Sequence, residues 1–259
     1  MVRRPLGNHH LGPDTRSVTA ESNEFRELVV GARVVLWGFD GPICRLFAGC
    51  PAQDVAHTLV RWLRERDLAG LLTESERQTA DPRTVLRAVD RAHPGGDLVA
   101  ELEEQLTRAE TRACPSAMPT AYADPLIRTW TALGVRMAIT TDNSARAVAA
   151  YLAGRGLTSC FASHVHGRTA VLGHLKPHPH TLRRALAALG APPRDALAIG
   201  DSPADAMAAT EAGVPFLGYA RGEAKAARLR DAGVTRVVTS LEHVLTELRR
   251  TDPGRTRVG

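Results

Sequence analysis

Three polar clusters in the 259-residue chain each follow an apolar, strand-like run: Asp40-Gly41, Thr140-Thr141-Asp142-Asn143, and Gly200-Asp201-Ser202-Pro203-Ala204-Asp205. A fourth, Lys176-Pro177-His178-Pro179, lies in a loop ahead of a helical pattern. Asp201 and Asp205, four apart across a strand-to-helix turn, offer hard oxygen ligands of the kind Mg²⁺ takes together with water and phosphate. Thr141, Asp142 and Asn143 bring hydroxyl and backbone donors to a helix N-terminus, where unsatisfied N–H groups and the helix dipole favour an anion. Lys176 supplies a cation for a non-bridging phosphate oxygen. Such a set suits phosphoryl chemistry, which depends mainly on positioning and charge neutralisation.

The basic residues carry a second signal. Of 33, only Lys176 and Lys225 are lysines. A position that keeps lysine in so arginine-rich a chain is worth examining, because the ammonium is a compact point charge and the guanidinium is not. Other candidates read as ordinary structure. Cys44 lies close to Asp40, but a lone cysteine usually acts as a small buried apolar residue. His174, His178 and His180 flank Lys176 without the fixed scaffold of a zinc site. Arg45 faces an anion or simply the solvent.

The elements that must position these groups follow from periodicity. The run Arg33 to Trp37 is continuously apolar and β-branched, the pattern of a strand buried on both faces. From Ile43 to Ala123 the pattern is helical, with Val55, Leu59, Trp62 and Leu63 on one stripe and Leu98, Leu102, Leu106 and Ala109 on another. Asp81-Pro82 and Asp124-Pro125 each pair an N-cap with proline at the first helical position. Strands are then expected at 135–140, 161–165, 196–200, 214–219 and 236–239, alternating with helices, which implies right-handed βαβ units. The expected fold class is α/β: a Rossmann-like parallel-sheet core from 31–42 and 124–250, and an inserted all-helical cap over 43–123. Residues 1–30 are expected as a loose arm and 251–259 as a frayed tail. Carboxyl ends of parallel strands converge on one crevice, so the polar clusters belong together.

This arrangement resembles the haloacid dehalogenase-like (HAD-like) superfamily, in its phosphoglycolate-phosphatase-like branch with a helical cap. Gly38-Phe39-Asp40-Gly41 matches the family's first motif, Thr141 its second, Lys176 its third and Gly200-Asp201-Ser202-Pro203-Ala204-Asp205 its acidic fourth. Alone, Thr141 would serve as a helix cap, Lys176 as a solvated loop residue and Asp205 as a first-turn acid; their order makes them a site. The resemblance implies hydrolysis of a small phosphorylated metabolite with Mg²⁺ held by Asp40, Asp201 and Asp205, and with Asp40 protonating the leaving group. It also exposes a departure. The family's attacking aspartate, itself a metal ligand, is Gly38 here, and the threonine after the motif glycine is Pro42. Weak or lost phosphatase activity is therefore expected. The alternatives are a non-catalytic ligand- or partner-binding protein and a different reaction on the same scaffold.

Composition excludes several classes. With 44% hydrophobic and 24% charged residues the chain is globular in usage, and no stretch is apolar enough to span a membrane. The formal charge of +5 is spread along the chain without a reader motif, so nucleic acid is not an expected partner. Four unpaired-looking cysteines and no secretory leader pattern suggest a cytoplasmic protein.

Overall fold

A computed structural model describes residues 15–250. In chain order the elements begin with α1 (Thr15–Val30), β1 (Val34–Trp37), β2 (Cys44–Arg45), α2 (Ala52–Arg64), α3 (Glu74–Arg77), α4 (Pro82–Ala92), α5 (Asp97–Ala113) and β3 (Met118–Pro119). They continue with α6 (Ala123–Ala132), β4 (Arg136–Thr140), α7 (Ala145–Arg155), α8 (Thr158–Phe161), β5 (Val165–His166) and α9 (His180–Leu189). The last are β6 (Ala196–Gly200), α10 (Pro203–Ala212), β7 (Phe216–Tyr219), α11 (Glu223–Asp231), β8 (Val237–Val238) and α12 (Glu242–Arg250).

Six parallel strands form one sheet in the order β5-β4-β1-β6-β7-β8. The continuous apolar run of β1 is explained by its place at the centre: Val35 and Trp37 enter the cluster shared with α6, α7 and α12, while Val34 and Leu36 enter the one shared with α9 and α10. Trp37 packs edge-on to Trp130 with ring centroids 5.6 Å apart, a favoured aromatic geometry. The direction in which strands are added reverses at β1, since β4 and β5 lie to one side and β6 to β8 to the other. That is a topological switch point, where open α/β sheets bind ligands. Trp37 is level with Ile139 and Ile199, so the first, second and fourth polar clusters leave the sheet at the same edge.

The helices α2, α4 and α5 build a separate apolar cluster around Leu59, Leu63, Val85, Leu86, Val89, Leu102 and Leu106. Asp81 caps α4, accepting from the Arg83 amide at 3.0 Å, with Pro82 at its first position.

Four details differ from the sequence expectations. Residues 15–30 are helical, with Val29 buried in the main core beside the partly buried Phe25 and Leu28. The stretch 43–123 is not wholly helical, because β2 and β3 pair antiparallel at its base. Phe161 ends the short α8 and the strand begins only at Val165. Asp124 lies inside the first turn of α6, whose N-cap is Tyr122 at φ 65°, and it binds Arg155 instead at 2.5–3.0 Å. Residues 1–14 of the expected arm and the tail 251–259 lie outside the described residues. No described helix is long and apolar enough to cross a membrane.

Candidate functional site

Above the switch point lies a cavity of about 700 Å³ whose lining includes Gly38, Asp40, Thr141, Lys176, Asp201 and Asp205. Asp142 and Asn143 also line it, so all seven residues expected from sequence meet at one place. The helical insert contributes Arg83, Arg87 and Glu110, and the β7-to-α11 segment contributes Arg221, Lys225 and Arg228.

The fourth motif is shaped by glycine and a capping box. Ser202 caps α10 by accepting from the Asp205 amide, and the Asp205 carboxylate reaches back to the Ser202 amide. A side chain at Gly200 would meet Asp205 Cβ at 2.5 Å, so only glycine lets the acid fold under the strand end. Asp205 Oδ1 accepts from Lys176 Nζ at 2.6 Å. Its Oδ2 accepts from Ser202 Oγ at 2.6 Å and from the Ser202 and Asp201 amides at 3.0 and 3.2 Å. Burial opposes the Asp205 charge, but Lys176 and these donors outweigh it and hold the carboxyl below its ordinary value. Lys176, only 8% exposed, also donates from Nζ to the Thr140 carbonyl at 2.8 Å.

Asp201 is ion-paired with Lys225 from the first turn of α11. Burial raises its pKa to about 6, with Lys225 opposing and Asp205 adding to the rise. Asp40 accepts from the Leu46 amide at 3.0 Å, and burial raises its pKa against the pull of that bond and of Arg83. A carboxyl so raised suits proton donation. Its neighbour Gly41 has φ 120°, and a side chain there would run into the Asp201 carboxylate.

The second cluster is engaged differently than its types suggest. Thr141 Oγ1 accepts from the Asn143 amide at 3.1 Å and donates to Asn143 Oδ1 at 3.0 Å. Asn143 Nδ2 and the Ser144 amide both donate to Glu110, at 3.1 and 2.8 Å. A carboxylate from the insert thus occupies the Asn143 side-chain amide and the Ser144 backbone amide at the α7 N-terminus, while the Thr141 hydroxyl and the Asn143 amide are engaged with each other's residue. Glu110, 1% exposed, is matched by Arg168, whose side chain is fully buried and binds it at 2.9 and 3.1 Å. Asp142 is gripped by the Lys176 amide at 3.1 Å and faces Arg83 at 3.6 Å; burial raises its pKa, opposed by Lys176.

Sequence reasoning missed Glu110, Arg83 and Arg168, and gave Lys225 no role. A signal for Glu110 existed: Glu103, Thr107 and Glu110 recur at helical spacing beside the apolar stripe of α5, and Arg168 binds all three. Cys44 is buried, and desolvation and then Asp40 raise its thiol pKa, which disfavours the nucleophilic thiolate. His174 stacks on His180 at 3.7 Å, and neither these nor His178 line the cavity. Arg45 does line it, with a guanidinium nitrogen 2.7 Å from Met118 Sδ.

The donor set does not fit Mg²⁺. That ion demands near-octahedral oxygen coordination and usually takes more than one carboxylate or phosphate. Both Asp205 oxygens are filled by Lys176, Ser202 and the Asp201 amide. Asp201 already holds an ammonium, Gly38 has no side chain, and Asp40 would offer only the backbone carbonyl that the family resemblance assigns to the metal. Among the described residues no group of three His, Cys, Asp or Glu is placed to hold a metal ion.

Comparison with known proteins agrees with this geometry. The family model for haloacid dehalogenase-like hydrolases matches residues 91–213. The phosphoglycolate phosphatase of Rhodospirillum rubrum is 37% identical over 110 residues, and that of Rhodobacter capsulatus 39% over 93. These matches cover 41% and 36% of this chain and span less than half of each relative, 44% and 41%. The crystal structure of CbbY from Rhodobacter sphaeroides with phosphate superposes with a TM-score of 0.61 at 21% identity, covering 84% of this chain and 99% of that one, a likeness of fold. With four motif positions on one sheet edge beneath a helical insert, the chain has the fold of these structures and is similar to haloacid dehalogenase-like hydrolases over residues 91–213 and to phosphoglycolate phosphatases over part of its length.

Proposed function

We propose that this protein binds a small phosphorylated metabolite in the cavity and hydrolyses it weakly or not at all. Gly38 carries this reading. It occupies the attacking position, and two other acids of the lining are committed elsewhere: Asp142 to Lys176 and Arg83, Asp205 to Lys176 and Ser202. Lys176 is held rigid by Thr140 and Asp205, while Arg45, Arg221 and Arg228 line a cationic wall suited to an anionic ligand. The phosphoglycolate phosphatases to which the chain is similar support a small phosphorylated compound. Asp40, with its raised pKa, retains the proton-donor role that the family resemblance gives it.

The test is turnover of p-nitrophenyl phosphate. Loss of a nucleophile that works in concert with its partners removes up to about a million-fold in rate. Wild-type turnover is expected near background, and Gly38→Asp is expected to raise it at least tenfold. The substitution has room: Gly38 is not in the left-handed region, and an added Cβ would lie 3.2 Å from the Ile199 carbonyl oxygen, asking for a shift of a few tenths of an ångström. A wild type as fast as the variant, with activity removed by Asp40→Asn, would overturn the reading.

A further inference from the structure

Asp201, an acid that the family resemblance assigns to the divalent cation, is paired with Lys225. In a complete site of this family the attacking carboxylate and Asp201 together offset a doubly charged ion. Here one carboxylate is absent, and the remaining one meets a single ammonium. The loss of one negative charge and the exchange of a dication for a monocation leave the local balance unchanged, which matters in a crevice where Asp40 and Asp201 are largely desolvated.

The residue type points the same way. Arginine serves nearly every cationic position, yet the two lysines both line this cavity, one on each acid of the fourth motif. An ammonium has three donors on a compact head, so Lys225 can keep Asp201 and still offer protons to a phosphate oxygen. Lys225 extends from the first turn of α11 with its side chain 43% exposed, so it reaches the crevice from the rim and its head stays accessible to a ligand.

Resting on the reading of the cavity as a phosphate site, we infer that Lys225 supplies the positive charge that a divalent ion supplies in relatives, so that a phosphate group binds between Lys176 and Lys225 without metal. No bond is made or broken in this role. Asp201 serves to position the ammonium, and Mg²⁺ is excluded by competition for its carboxylate.

Calorimetric titration of the full chain with inorganic phosphate, in chelator and again in millimolar Mg²⁺, tests this. The dissociation constant is expected to agree within about twofold between the two conditions, and Mg²⁺ alone is expected to give no binding heat. Lys225→Met, close in shape and half exposed, is expected to fold as wild type by circular dichroism and to bind phosphate at least tenfold more weakly in chelator. Added Mg²⁺ should recover part of that loss by entering the freed Asp201 carboxylate. Asp201→Asn separates the two assignments further: it loosens the ammonium and is expected to weaken binding in chelator by less than Lys225→Met does, and combined with Lys225→Met it should abolish the recovery by Mg²⁺. Phosphate binding only with Mg²⁺, or unchanged binding by Lys225→Met, overturns the inference and leaves the phosphate reading standing. Absence of binding in both conditions overturns both.

Discussion

At the residue scale, several side chains of the cavity floor are tuned by a single neighbour. Asp205 keeps its charge under burial because Lys176 faces it at 2.6 Å. Lys176→Met should strand that carboxylate and cost about 3 kcal/mol, the lower range for breaking a buried pair because the Ser202 bonds remain. A lower urea midpoint at neutral pH, with the deficit shrinking as the medium is acidified enough to protonate Asp205, is the expected result. His166 makes a pH prediction of the opposite kind. Its ring nitrogens have no hydrogen-bond partner, and burial, aided by Arg184 and His164, lowers its pKa to about 4. The folded state therefore keeps it neutral while the unfolded chain protonates below its ordinary value near 6.5. Stability is full above that value and is lost as pH falls from about 6.5 to about 4, by roughly 3 kcal/mol from this residue. Urea titrations at pH 7.5 and 5 should show the loss, and His166→Gln should flatten it.

At the element scale, α5 belongs to the insert by its apolar stripe and to the sheet edge by its polar one. Glu110 takes the donors at the start of α7 and pairs with the fully buried Arg168. Glu110→Gln should destabilise the protein by about 2–3 kcal/mol, since it leaves a buried guanidinium with less than its compensating charge. Glu103→Gln should cost well under half of that, because Glu103 is 30% exposed. Paired denaturation curves check the contrast. The strand ends were legible in sequence because each carried a motif directly after an apolar run. So was α4, announced by Asp81-Pro82. What escaped were contacts set by tertiary approach: Asp124, which looks like a cap but answers Arg155 thirty-one residues away, and Glu110, whose partners lie 33, 34 and 58 residues distant. Periodicity states which face of a helix is polar, and only packing states what that face meets. The helix α1 was missed for a related reason: its stability comes from docking against α12 and the core through Val29.

At the scale of the whole molecule, the loop between β5 and α9 joins the two bodies. Leu172 and Leu175 lie in the insert's apolar cluster, and the next residue, Lys176, lies at the sheet edge. Leu172 does not line the cavity, yet Leu172→Ala should cost about 2–4 kcal/mol and quicken amide exchange across α2, α4 and α5. Exchange confined to residues 172–175 would count against that sharing. Arg87 adds a second tie by donating to the Lys176 carbonyl at 3.3 Å, and Arg83 and Glu110 add others at Asp142 and Ser144. The insert is therefore stitched to the loops that surround the ligand, so it cannot swing aside as a free lid. Escape of a bound molecule then waits on the breathing of the insert itself, and residence time becomes a property of its stability.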